Sequence, residues 1–275
     1  MRRAQRALIL ATLLGLAPIA TAHSQREAVR SATGMASAPT FQWENTTAVE
    51  IKTKDSLKLR ASYFEPKKKT QLAPGAILVH DTGSSRAELM DVGERLHKTG
   101  FAVLVLDLRG HGESAQDETD WAKLDDDGRK RLWALAVRDL EAASGWLRDR
   151  KEVHSTNLNL VGFRAGAALA ARHSLRDENV RSVALIEPRS EELGIDVAGD
   201  LQELGGLPTY IVSKKAEKKA TEAMIQEAHQ ASGGHPFIEL MVCSAKKKAD
   251  ETPKVERKTC VSIAKWMKEK AFPPT

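Results

Sequence analysis

Three short segments of the sequence combine glycine with residues that can bind or transfer charge. They are 80–83, 107–114 and 162–166, and the last of them reads Gly-Phe-Arg-Ala-Gly. Each segment directly follows a run of apolar residues, as expected for a loop at the end of a buried strand. The centre of the last segment is Arg164, whose guanidinium is always protonated and has no acceptor atom. Arg164 is therefore suited to binding an anion and unsuited to attacking a carbonyl carbon.

The elements that must position these segments alternate along the chain. A β-hairpin is predicted first, because residues 49–53 and 57–64 alternate in polarity around a Lys54-Asp55-Ser56 turn. Short apolar runs then predict strands at 76–79, 102–106, 158–161, 183–186, 210–212 and 237–242. Helical periodicity predicts helices over 87–98, 127–150, 165–175, 216–231 and 254–270. This order predicts an α/β fold, with one mostly parallel sheet and helices on both faces.

Two of the loops carry a resemblance to a known family. Residues 77–83, followed by 102–114 with the string Asp-x-Arg-Gly-His-Gly-x-Ser, resemble the strand, oxyanion loop and next strand of α/β-hydrolases. With 208–212 and 263–266 included, the resemblance covers roughly residues 48–270. It implies a single-domain α/β-hydrolase fold. Only 23 residues separate the predicted strands that end at Ile186 and begin at Tyr210, so no large lid is expected.

The resemblance also implies a nucleophilic serine, an acid and a histidine base, and the sequence departs from this set. Arg164 stands at the nucleophile position, on the turn from strand to helix, and Glu217 aligns with the acid. Lys246, or Lys247 beside it, falls where the histidine is expected, and all 8 histidines precede the end of the last predicted strand. An exposed lysine, with a pKa of about 10.4, is a poor general base at neutral pH. The oxyanion-loop positions of the family correspond to Asp81, Thr82 and Ala165.

Cationic residues gather at the predicted carboxyl ends of three strands, where ligands bind in open sheets of this type. They are Arg164, Lys214, Lys215, Lys218, Lys246, Lys247 and Lys248. Two interpretations of Arg164 stay open. In one it binds a small anionic ligand at the former active site, where the candidate binding residues are Arg164, His80, Arg109, His111, Lys214 and Lys246. In the other it forms an internal ion pair with Glu113, Asp81 or Glu187.

The expected function is that of an α/β-hydrolase-family protein that has lost serine hydrolase activity. The alternative is an active carboxylic-ester or acyl hydrolase with an unconventional nucleophile. Candidate nucleophiles are Ser84, Ser85 and Ser114, with His80 or His111 as the base. No cofactor and no metal are expected, since the sequence has neither metal-ligand spacing nor a glycine-rich phosphate loop.

The first residues resemble a secretory signal peptide. Arg2, Arg3 and Arg6 precede an apolar run over 7–20, and the small residues before His23 predict cleavage after Ala22. We therefore expect a signal peptide over 1–22, a linker over 23–45 and a folded domain over 46–275, in a secreted or periplasmic protein. A retained membrane anchor is the alternative, although the run is shorter than the ~20 residues that span a bilayer.

Charge and cysteine content restrict the possible partners and supports of the fold. The net charge of +5 falls to about +2 once the three leader arginines are removed, which gives no case for nucleic acid binding. No membrane span is expected after removal of the leader, and the protein partner, if any, is left open. The 2 cysteines, Cys243 and Cys260, are too few for a disulfide scaffold. A single bridge between them and two free, buried thiols are both possible.

Overall fold

The computed structural model describes residues 43–67, 71–234, 237–243 and 255–272. The predicted signal peptide and most of the predicted linker lie outside these ranges. The strands are β1 (Thr47–Lys52), β2 (Lys58–Phe64), β3 (Ala73–Val79), β4 (Ala102–Leu106), β5 (Val153–Phe163), β6 (Val180–Ile186), β7 (Glu191–Glu192), β8 (Ile195–Asp196), β9 (Thr209–Lys214) and β10 (Ile238–Cys243). The helices are α1 (Met90–Lys98), α2 (Asp126–Leu135), α3 (Val137–Arg148), α4 (Ala165–Ser174), α5 (Val197–Glu203), α6 (Lys218–Ala231) and α7 (Arg257–Ala271).

Eight strands form one sheet in the order β1-β2-β4-β3-β5-β6-β9-β10. The pairs β1–β2 and β2–β4 are antiparallel, and the other pairs are parallel. Every residue of β3 and β4 is buried, because helices cover both faces of the sheet and apolar side chains therefore point both ways. The predicted mostly parallel sheet and its N-terminal hairpin are confirmed.

The core has two layers, one on each face of the sheet. On one face α3 and α4 pack side chains such as Leu140 and Leu169 against the strands. On the other face α1 and α7 pack against each other and contribute Leu96 and Met267. The parallel strands are therefore fixed from both sides, and the loops at their carboxyl ends have a rigid support.

The helix predicted over 127–150 is wrong in one respect, because two helices occupy this range. The backbone N–H groups of Ala136 and Asp139 each bond to the carbonyl three residues earlier, which tightens the chain between α2 and α3. The Asp139 carboxylate, in the first turn of α3, accepts from the backbone and the guanidinium of Arg109. Helical periodicity continues through this break, so the sequence pattern does not reveal it.

The connection between β6 and β9 is short, as predicted. It contains the two-residue strands β7 and β8 and the helix α5, and no large lid. In the part of the chain that the structure describes, no helix has both the length and the apolar character to cross a membrane.

Both cysteines are free and buried, so the structure supports the second of the two cysteine alternatives. Burial raises the pKa of the Cys260 thiol to about 11. Packing, and no disulfide between these two residues, therefore joins α7 to the sheet.

Candidate functional site

Arg164 stands at the apex of a sharp turn between β5 and α4. Its φ of 49° is positive, which is unusual for a residue with a side chain, and its N–H donates to the carbonyl of Ile186 at 2.8 Å. Two glycines allow the close packing that this turn needs. A Cβ at Gly162 would lie 2.4 Å from the Gly166 carbonyl oxygen, and one at Gly166 would lie 2.3 Å from the Val79 carbonyl oxygen. The strained backbone that presents a nucleophile in α/β-hydrolases is thus present here with an arginine.

The Arg164 guanidinium is held by two carboxylates. Its Nε donates to Glu187 Oε2 at 2.9 Å, and its Nη1 lies 3.4 Å from Asp81 Oδ2. Lys214 forms a second ion pair with the same Glu187 oxygen. Burial opposes the charge on Arg164, but the bonds to Glu187 and Asp81 outweigh it and raise the pKa of the guanidinium. Two cations and two anions therefore balance at the turn, and we call Asp81, Arg164, Glu187 and Lys214 the elbow cluster.

The structure brings the three oxyanion-loop positions together. Asp81 Oδ1 accepts from the backbone N–H of Thr82 at 2.9 Å and from that of Ala165 at 3.2 Å. These amides occupy the places where an α/β-hydrolase directs donors at a developing oxyanion. In this chain both amides already donate to the carboxylate of Asp81.

Glu88 belongs to the site and was not predicted from the sequence. Its Oε2 accepts from the backbone N–H of Asp81 at 3.0 Å, and its side chain is only 6% exposed. Burial raises the pKa of this carboxyl to about 7, against smaller opposing contributions from the Asp81 amide and Ser84. The residue lies in the 3₁₀ turn 86–89, within the helix predicted over 87–98, and an ionisable side chain there gave no sign of burial.

His80 and His111 are buried and are engaged with the backbone. His80 Nδ1 lies 2.6 Å from the Asp81 carbonyl oxygen, and His80 Nε2 accepts from the N–H of Leu108 at 3.1 Å. His111 Nδ1 lies 2.9 Å from the Arg109 carbonyl oxygen, and its ring packs on Trp121. Burial lowers the pKa of each imidazole to about 4. Both rings are therefore neutral at pH 7, and their role as ligand-binding residues stays a prediction.

The Arg109 guanidinium bonds to carboxylates that are not part of the elbow cluster. Its Nε donates to Asp139 at 2.8 Å and its Nη1 donates to Asp55 at 3.0 Å, and the residue is only 3% exposed. The structure therefore does not bring the predicted binding residue Arg109 together with Arg164. Its guanidinium joins the hairpin turn to α3 instead.

Among the contacts of the described residues, the acid position of the resemblance is not joined to the elbow cluster. Glu217 is exposed, in the 3₁₀ turn 215–217 that precedes α6, and its carbonyl accepts from the Thr221 hydroxyl. Lys246 and its lysine neighbours lie outside the described residues. Of the predicted ion-pair partners of Arg164, Asp81 and Glu187 are used. Glu113 is not, because its carboxylate pairs with Arg86 at 2.7 Å.

Of the candidate serines, Ser114 has a structural role. Ser114 is buried, donates to the Asp107 carbonyl and accepts from the N–H of Arg60. Ser84 lies beside Glu88 and is partly exposed. A serine and histidine pair that the sequence did not suggest is formed by Ser144 and His173, whose Oγ and Nε2 are 2.8 Å apart. Ser144 is only 1% exposed, so a substrate cannot reach its hydroxyl.

The sequence of the chain also matches a protein-family model. Residues 59–230, more than half of the chain, match the dienelactone hydrolase family. The chain belongs to the dienelactone hydrolase family. The α/β-hydrolase resemblance predicted from the sequence is thereby confirmed.

Two curated relatives from Mycobacterium tuberculosis are also similar. The uncharacterized proteins Rv2307c, from strain H37Rv, and MT2364, from strain CDC 1551, are each 27% identical over 122 residues. That match covers 44% of this chain and 38% of each relative. The chain therefore spans well under half the length of these relatives.

Solved structures share the fold of this dienelactone hydrolase family member. The esterase Pf2001 from Pyrococcus furiosus superposes with a TM-score of 0.65 at 19% identity, over 84% of this chain and 96% of that one. The α/β-hydrolase GrgF from Penicillium sp. sh18 gives 0.62 at 15% identity, over 82% and 99%. Esterase 2 from Thermogutta terrifontis gives 0.60 at 14% identity, over 84% and 96%. At these identities the likeness concerns the fold alone.

Proposed function

We propose that this dienelactone hydrolase family protein is exported and does not act as a serine hydrolase. The observation that carries the proposal is the side chain at the turn after β5, where Arg164 is bonded to Glu187 and Asp81. A guanidinium has no lone pair to offer a carbonyl carbon, so no acyl-enzyme can form on it. Export rests on the leader over 1–22, with its three arginines, apolar run and small residues before His23.

The surroundings of Arg164 support the same proposal. Among the described residues the side-chain hydrogen-bond partners of Arg164 are Glu187 and Asp81, and both nitrogens of His80 are engaged with backbone groups. The Asp81 carboxylate places negative charge against the Ala165 amide, where charge develops in the transition state of ester hydrolysis. Like charges at that position repel, so the site opposes the reaction that its fold usually supports.

An active hydrolase with an unconventional nucleophile is the second candidate, and one pair of residues favours it. Ser84 lies beside Glu88, whose pKa of about 7 is suited to a general base at neutral pH. Unlike Ser144 and Ser114, Ser84 is partly exposed. If the protein hydrolyses esters, Ser84 is therefore the candidate nucleophile and Glu88 the candidate base.

Labelling by a fluorophosphonate probe tests the proposal and its rival together. The mature protein is treated with the probe beside an active serine esterase, and bound probe is measured by intact mass. We expect no covalent adduct on the wild type, and none on the Ser84→Ala variant. Stoichiometric labelling of the wild type would contradict the proposal. Loss of that label in Ser84→Ala would establish the alternative.

A further inference from the structure

The elbow cluster contains N–H donors for both oxygens of a carboxylate, and the Asp81 side chain uses these donors. Asp81 Oδ1 accepts from the amides of Thr82 and Ala165, and Asp81 Oδ2 faces the Arg164 guanidinium. One oxygen is thus bound by two N–H groups and the other by a cation. This division of contacts matches a flat, two-oxygen anion better than a tetrahedral one.

The cluster is open to solvent, so its occupant can be exchanged. The Asp81 side chain is 18% exposed and that of Arg164 is 31% exposed. The backbone N–H of Asp81 is held by Glu88, which anchors the loop independently of the Asp81 carboxylate. Rotation of the Asp81 side chain alone would therefore free both amides and the Nη1 group of the Arg164 guanidinium.

Charge balance determines when an outside anion binds. With Asp81 and Glu187 facing Arg164 and Lys214, the cluster has no net charge, and an added anion meets two carboxylates. Without Asp81, Arg164 and Lys214 face Glu187 beside two unused amides, and the buried Glu88, whose pKa burial raises to about 7, is the other carboxyl of the site. Building on the proposed function, we propose that the elbow cluster is a carboxylate-binding site. The Asp81 side chain occupies this site, and a ligand carboxylate binds by displacing that side chain.

The test measures the effect of sodium acetate on the melting temperature of the mature protein. Wild type and Asp81→Ala are compared at pH 7.5, with sodium chloride at equal ionic strength as the salt control. Asp117→Ala is the matched control variant, since it removes an Asp whose side chain is 98% exposed and which pairs only with Lys123 among the contacts of the described residues. We expect acetate to raise the melting temperature of Asp81→Ala, and to produce a given shift at a concentration about tenfold lower than in wild type and Asp117→Ala. Such a factor follows if the open state is populated to about a tenth in the wild type.

Further arms keep the proposal falsifiable. Equal acetate effects in the three proteins would overturn it, and inorganic phosphate stabilising Asp81→Ala as strongly as acetate would overturn the assignment to carboxylates. If Asp81→Ala does not fold, Asp81→Ser, which also lacks the carboxylate, replaces it with the same expected result. Fluorophosphonate labelling of the wild type would refute the proposed function whatever acetate does. Failure of acetate without labelling refutes only this inference.

Discussion

His80 and His111 are core residues, although both follow the carboxyl ends of strands. Their rings lie 5.1 Å apart and His111 also packs on Trp121 and Trp133. An imidazole in such surroundings stays neutral, because burial disfavours the charged form. The pair therefore makes folding stability sensitive to acid.

The predicted effect is a loss of stability below pH 6.5. In the unfolded chain these imidazoles gain a proton near pH 6.5, whereas burial lowers their pKa to about 4 in the fold. The stability that each contributes is fully present above pH 6.5 and is lost as the pH falls towards 4. We expect wild type to lose roughly 3 kcal/mol more than His111→Gln between pH 7.5 and 4, measured by urea unfolding.

Two features make this comparison specific. Glu88, whose pKa is raised by burial, has the opposite sign and stabilises the fold as the pH falls from 7, so only the difference between variants isolates His111. His154→Gln is the control, because His154 is exposed on β5. Parallel stability curves for wild type and His111→Gln would show that His111 is not held neutral.

Some residue contacts were predictable from the sequence and others were not. Ion pairing of Arg164 with Asp81 or Glu187 was one of the alternatives, since all three follow predicted strands that end at one edge of the sheet. The exclusion of Glu113 depends on Arg86, and the burial of Glu88 depends on a 3₁₀ turn. Neither property has a sequence pattern, because both arise from the packing of distant segments.

At the scale of elements, the turn between β5 and α4 shows how tightly strand and helix must pack. The resemblance to α/β-hydrolases implied this turn, whose two glycines lie between a predicted strand and a predicted helix. The sequence did not predict the break between α2 and α3, where helical periodicity continues, or the two-residue strands β7 and β8, which are too short to have a pattern. Long periodic elements are therefore predictable here, and short or interrupted ones are not.

Replacing Gly166 tests that packing. A Cβ there would lie 2.3 and 2.4 Å from the carbonyl oxygens of Val79 and His80, and backbone atoms cannot move aside easily. We expect Gly166→Ala to lower the free energy of unfolding by about 3 kcal/mol. Gly145→Ala is the matched control in α3, where a Cβ would meet no atom within 4 Å, and we expect it to stabilise by about 0.5 kcal/mol. Equal destabilisation of both variants would contradict the account of the turn.

In the molecule as a whole, the fold of the dienelactone hydrolase family is retained, but the turn between β5 and α4 presents Arg164 where the α/β-hydrolase resemblance implies a serine. The order of strands and helices predicted a mostly parallel α/β sheet, because few topologies accommodate that alternation, and the resemblance of residues 77–83 and 102–114 implied the α/β-hydrolase fold. Chemistry is a property of the site and not of the fold. In this protein the site presents Arg164 bonded to two acids, and we therefore propose that it lacks the serine hydrolase activity of its fold.

The decisive experiment for this proposal is steady-state hydrolysis of nitrophenyl acetate by the purified mature protein. We predict a rate no greater than that of a heat-inactivated sample at equal concentration, at every substrate concentration. We also predict no substantial gain in Arg164→Ser, since a serine without an adjacent base recovers little activity. Saturable turnover by the wild type that a fluorophosphonate abolishes would show that the protein is a serine hydrolase.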